Sequence, residues 1–422
     1  MKAVQTNPMP SVNSPRGTRD ILPIDQPLWQ HVVRTCQDVA ERLSYQQISL
    51  PTFEELGLYQ RAIGTGTDIM DKELFLVGSR HTEEQHYALR PEGTAGMVRA
   101  YIQHGMQSWP QPVKLYSILN LFRYERPQRG RFREHTQFDI EYFGDNSPFA
   151  DAWIILTHWQ VLQTLHISGV RLSLNNLGTA EERQAYRTAL VSFLEPLKDS
   201  LSDDSKRRLL ENPLRILDSK DPGDRQLLTD APKLSDSLGQ ASNEHFTLLQ
   251  NYLESWQIPF SLDPLLVRGL DYYSLSCFEW VHTAADGSQL SVGGGGRYDG
   301  MLPLLGGPQT GAVGAGLGLD RLVDLLEVVP PTQLDIFIVL ADPIALPSAQ
   351  RLIAQLAGLL YKFDADFSKP SLGSQLKAAA KRQARYAIIV GLDGSTDWTV
   401  RNLSDGEQHP LAASDLSNET FA

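Results

Sequence analysis

FRYERPQRGRFREHTQFDIEYFG, residues 122–144, is the stretch on which the reading of the fold turns. β-Branched and aromatic residues dominate 113–125 and again 136–143. Between them lies Arg126-Pro127-Gln128-Arg129-Gly130-Arg131, a basic, turn-forming run. Two such segments around such a loop predict an antiparallel hairpin. Alternate residues of a strand share a face, so Gln137, Asp139 and Glu141 point one way and Phe138, Ile140 and Tyr142 the other. Arg123 and Glu125 likewise share a face on the preceding strand. With its apolar side down, the hairpin offers a floor of arginine, glutamine and carboxylates. The stretch carries five arginines and four carboxylates on a chain whose formal net charge is −12. A solvated ribbon of ion pairs is the plain explanation, each pair being worth only ~0–1 kcal/mol. A guanidinium, however, grips phosphate oxygens bidentately where lysine cannot. So many around one hairpin favour a phosphate site, and the mixture of charges suits a zwitterionic ligand.

Working outward, 422 residues are too many for one ordinary core, so two or three domains are expected. No apolar run approaches the ~18 residues needed to cross a bilayer. The first twenty residues lack the apolar stretch of a secretory signal and are too poor in arginine for a strong transit peptide. Two cysteines, Cys36 and Cys277, exclude a disulfide framework and a cysteine zinc site, and they suit a reducing cytoplasm. The acidity argues against blanket nucleic-acid binding but leaves room for local phosphate contacts.

Helical spacing runs from Leu28 to Leu43 and again from Glu92 to His104, with the strand-like YQQISLPTF between them. After Asn176 the composition shifts: Ala180 to Leu253 is polar with helical spacing and reads as a helical insertion. Strand signals resume at 260–262, 271–282 and 290–292, with a turn at Ala285-Asp286-Gly287. The glycine run GGGGRYDG follows, and then TGAVGAGLGL, a small-residue strand entering a helix over 320–328. Pro330-Pro331-Thr332 reads as a linker. Beyond it come strand DIFIVLA, a helix over 347–361, a strand over 364–367, a helix over 373–383, strand YAIIVG and a last strand WTVRNL. That alternation predicts a compact α/β domain. The expected boundaries are 1–178 and 254–329 for a divided α+β domain, 179–253 for the insertion and 333–422 for the C-terminal domain.

The glycine runs invite a nucleotide-binding reading, which fails. A dinucleotide fingerprint needs glycine at the first, third and sixth positions. Counted from Gly314 the sixth position is Leu319, and from Gly293 it is Tyr298. No Gly-Lys-Ser/Thr follows either run. Glycine there is expected to let backbones pack closely or to let a ligand approach a strand. In LRPEGT, Glu92 and Thr94 open a helix, where a capping threonine and a dipole-favoured glutamate are the plain reading.

Taken together, RGTRDILP, LRPEGT, FRYERPQRGRFRE, NPLRILDSKDP, LVRGLDYY, GGGRYDG, GLGLDRL and QLKAAAKRQARYAIIVG resemble, in order, the motifs of the histidyl-tRNA synthetases. The resemblance runs over nearly the whole chain. It implies the class II synthetase fold, an antiparallel sheet flanked by helices, with a helical insertion and a C-terminal α/β anticodon-binding domain, working as a cytoplasmic homodimer. It implies ATP and histidine as substrates, Mg2+ beside them and histidine tRNA as partner. By position, Arg123 and Arg268 resemble catalytic arginines, Arg268 lying between the histidine carboxylate and the α-phosphate. Glu125, Arg131, His135 and Arg321 resemble further ATP contacts. Glu92, Thr94 and Gln137 resemble the residues that hold the α-amino group. Glu141 and Tyr273, with Tyr272 beside them, resemble those that grip the imidazole. Gln128 and Arg129 are expected to meet tRNA. Lys377, Lys381 and Arg385, at four-residue spacing, are expected to form a basic stripe for its phosphates.

The chain departs from the family pattern in places. His135 and Thr136 stand where a Phe-His pair is usual, so adenine is expected to stack on a smaller ring that can ionise. Asp139 replaces a common glycine, adding negative charge that favours an imidazolium substrate or points to a metal. The alternative function is a catalytically silent, histidine-sensing subunit of an ATP phosphoribosyltransferase. Such paralogues generally lack the C-terminal domain and the synthetase arginines, whereas this chain keeps both.

Overall fold

The computed structural model describes residues 12–64, 67, 69–78, 86–127, 130–267, 272–326, 334–369, 371–392 and 397–421. The chain divides into two compact units, Met1–Val329 and Pro330–Ala422.

In the first unit, β1 (Gln46–Gln47) precedes a small three-stranded sheet of β2 (Phe53–Glu55), β3 (Leu76–Val77) and β4 (Tyr87–Leu89). Then come β5 (Val113–Phe122), β6 (Glu134–Phe143), β7 (Val170–Asn176), β8 (Phe260–Leu262), β9 (Ser274–Thr283), β10 (Gln289–Arg297) and β11 (Ala312–Gly318). The main sheet has the order β1-β5-β6-β11-β10-β9-β7-β8. Its six central strands are antiparallel. The short edge strands β1 and β8 pair parallel.

The hairpin forms in the register Phe122↔Glu134 to Val113↔Phe143. Its strand ends at Phe122, so Arg123 and Glu125 lie in the loop rather than on β5. Phe138, Ile140 and Tyr142 enter one core with the helices Gln26–Arg42, Pro148–Thr164 and Leu319–Leu325. Leu115, Leu119 and Leu121 enter the other, with helices Leu56–Ala62 and Thr94–Gln103 and the insertion. Gln137, Asp139 and Glu141 look toward that second side.

The glycine run continues the strand that the sequence signals only as far as Val292. β10 extends to Arg297, and Gly293 to Gly296 pair with residues 314–317 of β11. Methyl groups at Gly293 or Gly295 would run into the β11 backbone. The last helix of the expected insertion, Gln240–Ser255, buries Leu249 and Leu253 in the core beneath the sheet. An ion-pair network reinforces that attachment: buried Asp151 takes Arg297 Nη2 at 2.5 Å and His245 Nε2 at 3.3 Å, and accepts from the Ser276 hydroxyl. Burial disfavours the Asp151 anion, but Arg297 beside it prevails and draws its carboxyl down to about 2.

In the second unit, β12 (Leu334–Leu340), β13 (Phe363–Ala365), β14 (Ala384–Val390), β15 (Trp398–Asn402) and β16 (Gln408–Leu411) form a sheet in the order β13-β12-β14-β15-β16. β12 pairs parallel with β13 and β14, while β15 and β16 add antiparallel. WTVRNL is therefore not the last strand. Helices Leu346–Leu356 and Leu372–Lys381 contribute to separate small cores.

Candidate active site

Arg123, Glu125, Gly130, Arg131, His135, Gln137, Gly293, Gly316 and Arg321 line one cleft above the middle of the main sheet. Arg123 is the first loop residue after β5. Its Nε donates to the Pro91 carbonyl at 2.8 Å, and its Nη1 lies 3.9 Å from Glu125. Arg131 pairs with the other Glu125 oxygen from across the loop. Arg321, in the first turn of the helix after β11, donates to the Gly130 carbonyl at 3.3 Å and to that of Ser291. Burial and the positive fields of Arg131 and Arg123 all lower its pKa. Three guanidiniums at this spacing repel one another, which is the charge state an anionic ligand relieves.

His135 lines the same cleft. Burial, then Arg123 and Arg321, pull its pKa down to about 3. The imidazole is therefore neutral across the working range, which corrects the expectation that it ionises there. Its Nδ1 is buried without a hydrogen-bond partner.

Deeper lies a carboxylate pocket. Glu92 accepts the Thr94 and Ala95 amides at 2.8 and 3.0 Å and so caps the helix Thr94–Gln103. The Thr94 hydroxyl is then free to donate to Glu141 Oε1 at 2.7 Å, and Tyr298 donates to Glu141 Oε2. Glu92, Asp139 and Glu141 are all buried, and burial raises the pKa of each. The Tyr272 hydroxyl reaches Glu92 at 3.5 Å. Its ring packs on Tyr273 at 4.6 Å and on Tyr298 at 5.8 Å. Gly314 and Gly316 on β11 sit opposite Glu141 and Asp139. A methyl at either position would overlap the carboxylates that cross it. These glycines make the floor on which the polar side chains lie.

Arg123, Glu125, Arg131, His135, Gln137 and Arg321 thus share the cleft, and Glu92, Thr94, Glu141, Tyr272 and Tyr273 belong to a cluster of contacting carboxylates, hydroxyls and rings. Arg268, Gln128 and Arg129 fall outside the described residues. Lys377 and Lys381 are exposed on the helix Leu372–Lys381. Arg385 is on β14 instead, over the Tyr386 ring at 5.4 Å, so the three do not form one helical stripe. The chain reverses through Gln383 at φ 56° before the strand begins.

Several residues of this region escaped the sequence reading. Tyr298 does, because its neighbours in GRYDG are structural: Arg297 holds Asp151 and Asp299. Arg90 ties its Nε to the Asn120 carbonyl at 2.8 Å and its Nη1 to those of Leu50 and Pro51, holding the strand-proline segment against the hairpin. Arg19, from the opening RGTRD, stacks on Phe132 at 4.2 Å and pairs with Asp320 at 2.8 Å. The other Asp320 oxygen takes the Thr136 amide at 2.8 Å, so this contact fixes the strand beside His135.

Comparison with known proteins points the same way. A histidine–tRNA ligase of Synechococcus sp. strain JA-3-3Ab is 41% identical over 414 residues, covering 97% of this chain and 98% of the relative. The crystal structure of apo S. aureus histidyl-tRNA synthetase superposes with a TM-score of 0.80 at 31% identity, over 97% of this chain and all of that one. An ATP phosphoribosyltransferase regulatory subunit/histidyl-tRNA synthetase from Bacillus halodurans shares the fold, with a TM-score of 0.64 at 20% identity over 89% of this chain and 97% of that one. The family model described as histidyl-tRNA synthetase matches residues 17–322, and on that match the chain belongs to the histidyl-tRNA synthetase family.

Proposed function

We propose that the protein ligates L-histidine to its cognate tRNA, using ATP, in two steps at this site. The observation that carries the reading is the cleft of Arg123, Arg131 and Arg321 opening beside a buried pocket of carboxylates and tyrosines. In the first step the histidine carboxylate attacks the α-phosphorus of ATP and pyrophosphate leaves. Two anions must approach, so the protein's work is to position them and neutralise charge. Arg123 is assigned to the α-phosphate and Arg321 to the far phosphates, with Glu125 and Arg131 beside them. His135 offers a neutral ring to the base. Arg268 is assigned, on the family pattern alone, to the developing charge between the two reactants. In the second step a ribose hydroxyl at the tRNA 3′ end attacks the mixed anhydride, releasing AMP.

Selection of histidine falls to Glu141. Two hydroxyls fix its carboxylate, leaving lone pairs for an imidazole N–H. A buried acceptor left unpaired penalises analogues that lack that donor. Mg2+ belongs to the proposal. Oxygen donors suit it, and the Glu125 carboxylate, which lines the cleft, would hold it. When bound, it would supply positive charge against the triphosphate. A homodimer in the cytoplasm completes the reading. No helix among the described residues is long and apolar enough to cross a membrane, and both cysteines are buried.

The test is ATP–pyrophosphate exchange, run with each amino acid in turn. Exchange with histidine and no other is the expected outcome. Histidine binding without exchange would turn the assignment to the sensing subunit.

A further inference from the structure

The segment that carries Tyr272 and Tyr273 is fastened to the place where the insertion begins. At the end of β7, the Asn175 side-chain amide donates to the Pro264 and Leu266 carbonyls at 3.3 and 2.9 Å. The Leu177 N–H donates to the Leu275 carbonyl at 2.6 Å, and the Leu275 N–H to that of Gly178 at 2.7 Å. Those two bonds hold Leu275 at φ 52°, a conformation that a leucine rarely adopts unaided. Thr179 then caps the helix Ala180–Leu194 reciprocally with Glu182. The Glu182 carboxylate also takes the Gly239 amide and the Ser242 hydroxyl, each at 2.6 Å, which ties this helix to the helix Gln240–Ser255. From the first turn of the helix so anchored, the Arg183 guanidinium crosses to the Tyr273 carbonyl and donates to it.

We infer that Arg183 is a positioning residue for the amino-acid pocket, which lets the insertion set the affinity for that substrate. This rests on the histidine reading above. Behind Tyr273 lies a cavity of ≈ 330 Å³, lined also by Arg183, Leu214, Leu234 and Val267, so packing alone does not fix the tyrosine from that side. The charged donor does, and a charge-assisted bond to a carbonyl is stronger than a neutral one. On its other side the Tyr273 ring packs on Tyr272, and Tyr272 packs on Tyr298, which donates to Glu141. Holding the Tyr273 backbone therefore holds this row of rings against the imidazole acceptor. The arginine cleft draws its lining from the hairpin loop, β6, β10, β11 and the helix after β11, so releasing Tyr273 leaves it intact.

Histidine-dependent exchange with two substitutions tests the role. Arg183→Met keeps the length of the side chain and removes its donors. The KM for histidine should rise at least tenfold, while that for ATP changes less than twofold. Arg183→Lys keeps a charged donor and should bring the KM for histidine back to within threefold of the unmutated protein. An unchanged KM for histidine in the methionine variant overturns the assignment. So does an equal rise in both KM values, which would mean general loosening, and so does a lysine variant as impaired as the methionine one, which would mean lost packing. Should the methionine variant not fold, hydrogen–deuterium exchange on the unmutated chain decides. Saturating histidine should slow exchange over 183–190 together with 272–277, and protection confined to the second segment refutes the proposal. Failure of the unmutated protein to exchange with histidine would remove the function and this role with it. Normal exchange by the methionine variant would remove the role of Arg183 alone.

Discussion

Tyr298 and Thr94 each place a hydroxyl on one oxygen of Glu141, and this pair sets how rigidly the imidazole acceptor is held. Tyr298→Phe removes one donor and keeps the ring packing against Tyr272 and Phe143. An orphaned acceptor of this kind is worth about 1–3 kcal/mol. The KM for histidine should therefore rise by about tenfold or more, with the KM for ATP unchanged, as measured by exchange. His135 gives a second prediction at this scale. Its imidazole stays neutral down to about 3, because protonation would place a cation among Arg123, Arg131 and Arg321 without solvation. The KM for ATP should show no inflection from this residue between about pH 5.5 and 8. His135→Phe should leave the shape of that profile unaltered, and a titration that vanishes in the variant would contradict the assignment. The identity of these side chains is plain in the sequence, but their protonation is not, since it depends on charges that arrive from β6, the hairpin loop and the helix after β11.

At the scale of elements, β11 is made by what it lacks. Gly314 and Gly316 have no side chains because Glu141, Asp139 and Gln137 of β6 lie across them. Gly316→Ala sets a methyl against the Gln137 amide and the Asp139 carboxylate, which must then swing out of the pocket. Exchange should fall by at least a hundredfold while circular dichroism remains that of a folded protein, because the hydrogen-bonded ladder and the opposite core are untouched. Full exchange activity in this variant would show that the floor tolerates side chains. The sequence offered the glycines as close-packing residues but ended the preceding strand at Val292. Glycine has weak strand propensity, and the partners that keep 293–297 extended, β9 and β11, come from elsewhere in the chain.

At the scale of the whole molecule, the two units carry separate tasks in the proposed reaction. Lys377 and Lys381 present exposed charge from the second unit, and replacing both with glutamate should raise the KM for tRNA severalfold in aminoacylation. Histidine-dependent exchange should not change. Adding Arg385→Glu should contribute little more, because that residue sits on β14 with its guanidinium over Tyr386. A large further loss would show that strand and helix read the same partner. The break near residue 330, the hairpin and most helices were legible in the sequence. Periodicity and motif order are local properties, and each segment's pattern agrees with the element it forms. The parallel edge strands, the strand character of the glycine run and the part of Tyr298 were decided only by tertiary structure. Each depends on which distant groups share a small buried volume, where the loss of water makes every donor, charge and methyl group count, and no single segment carries that information.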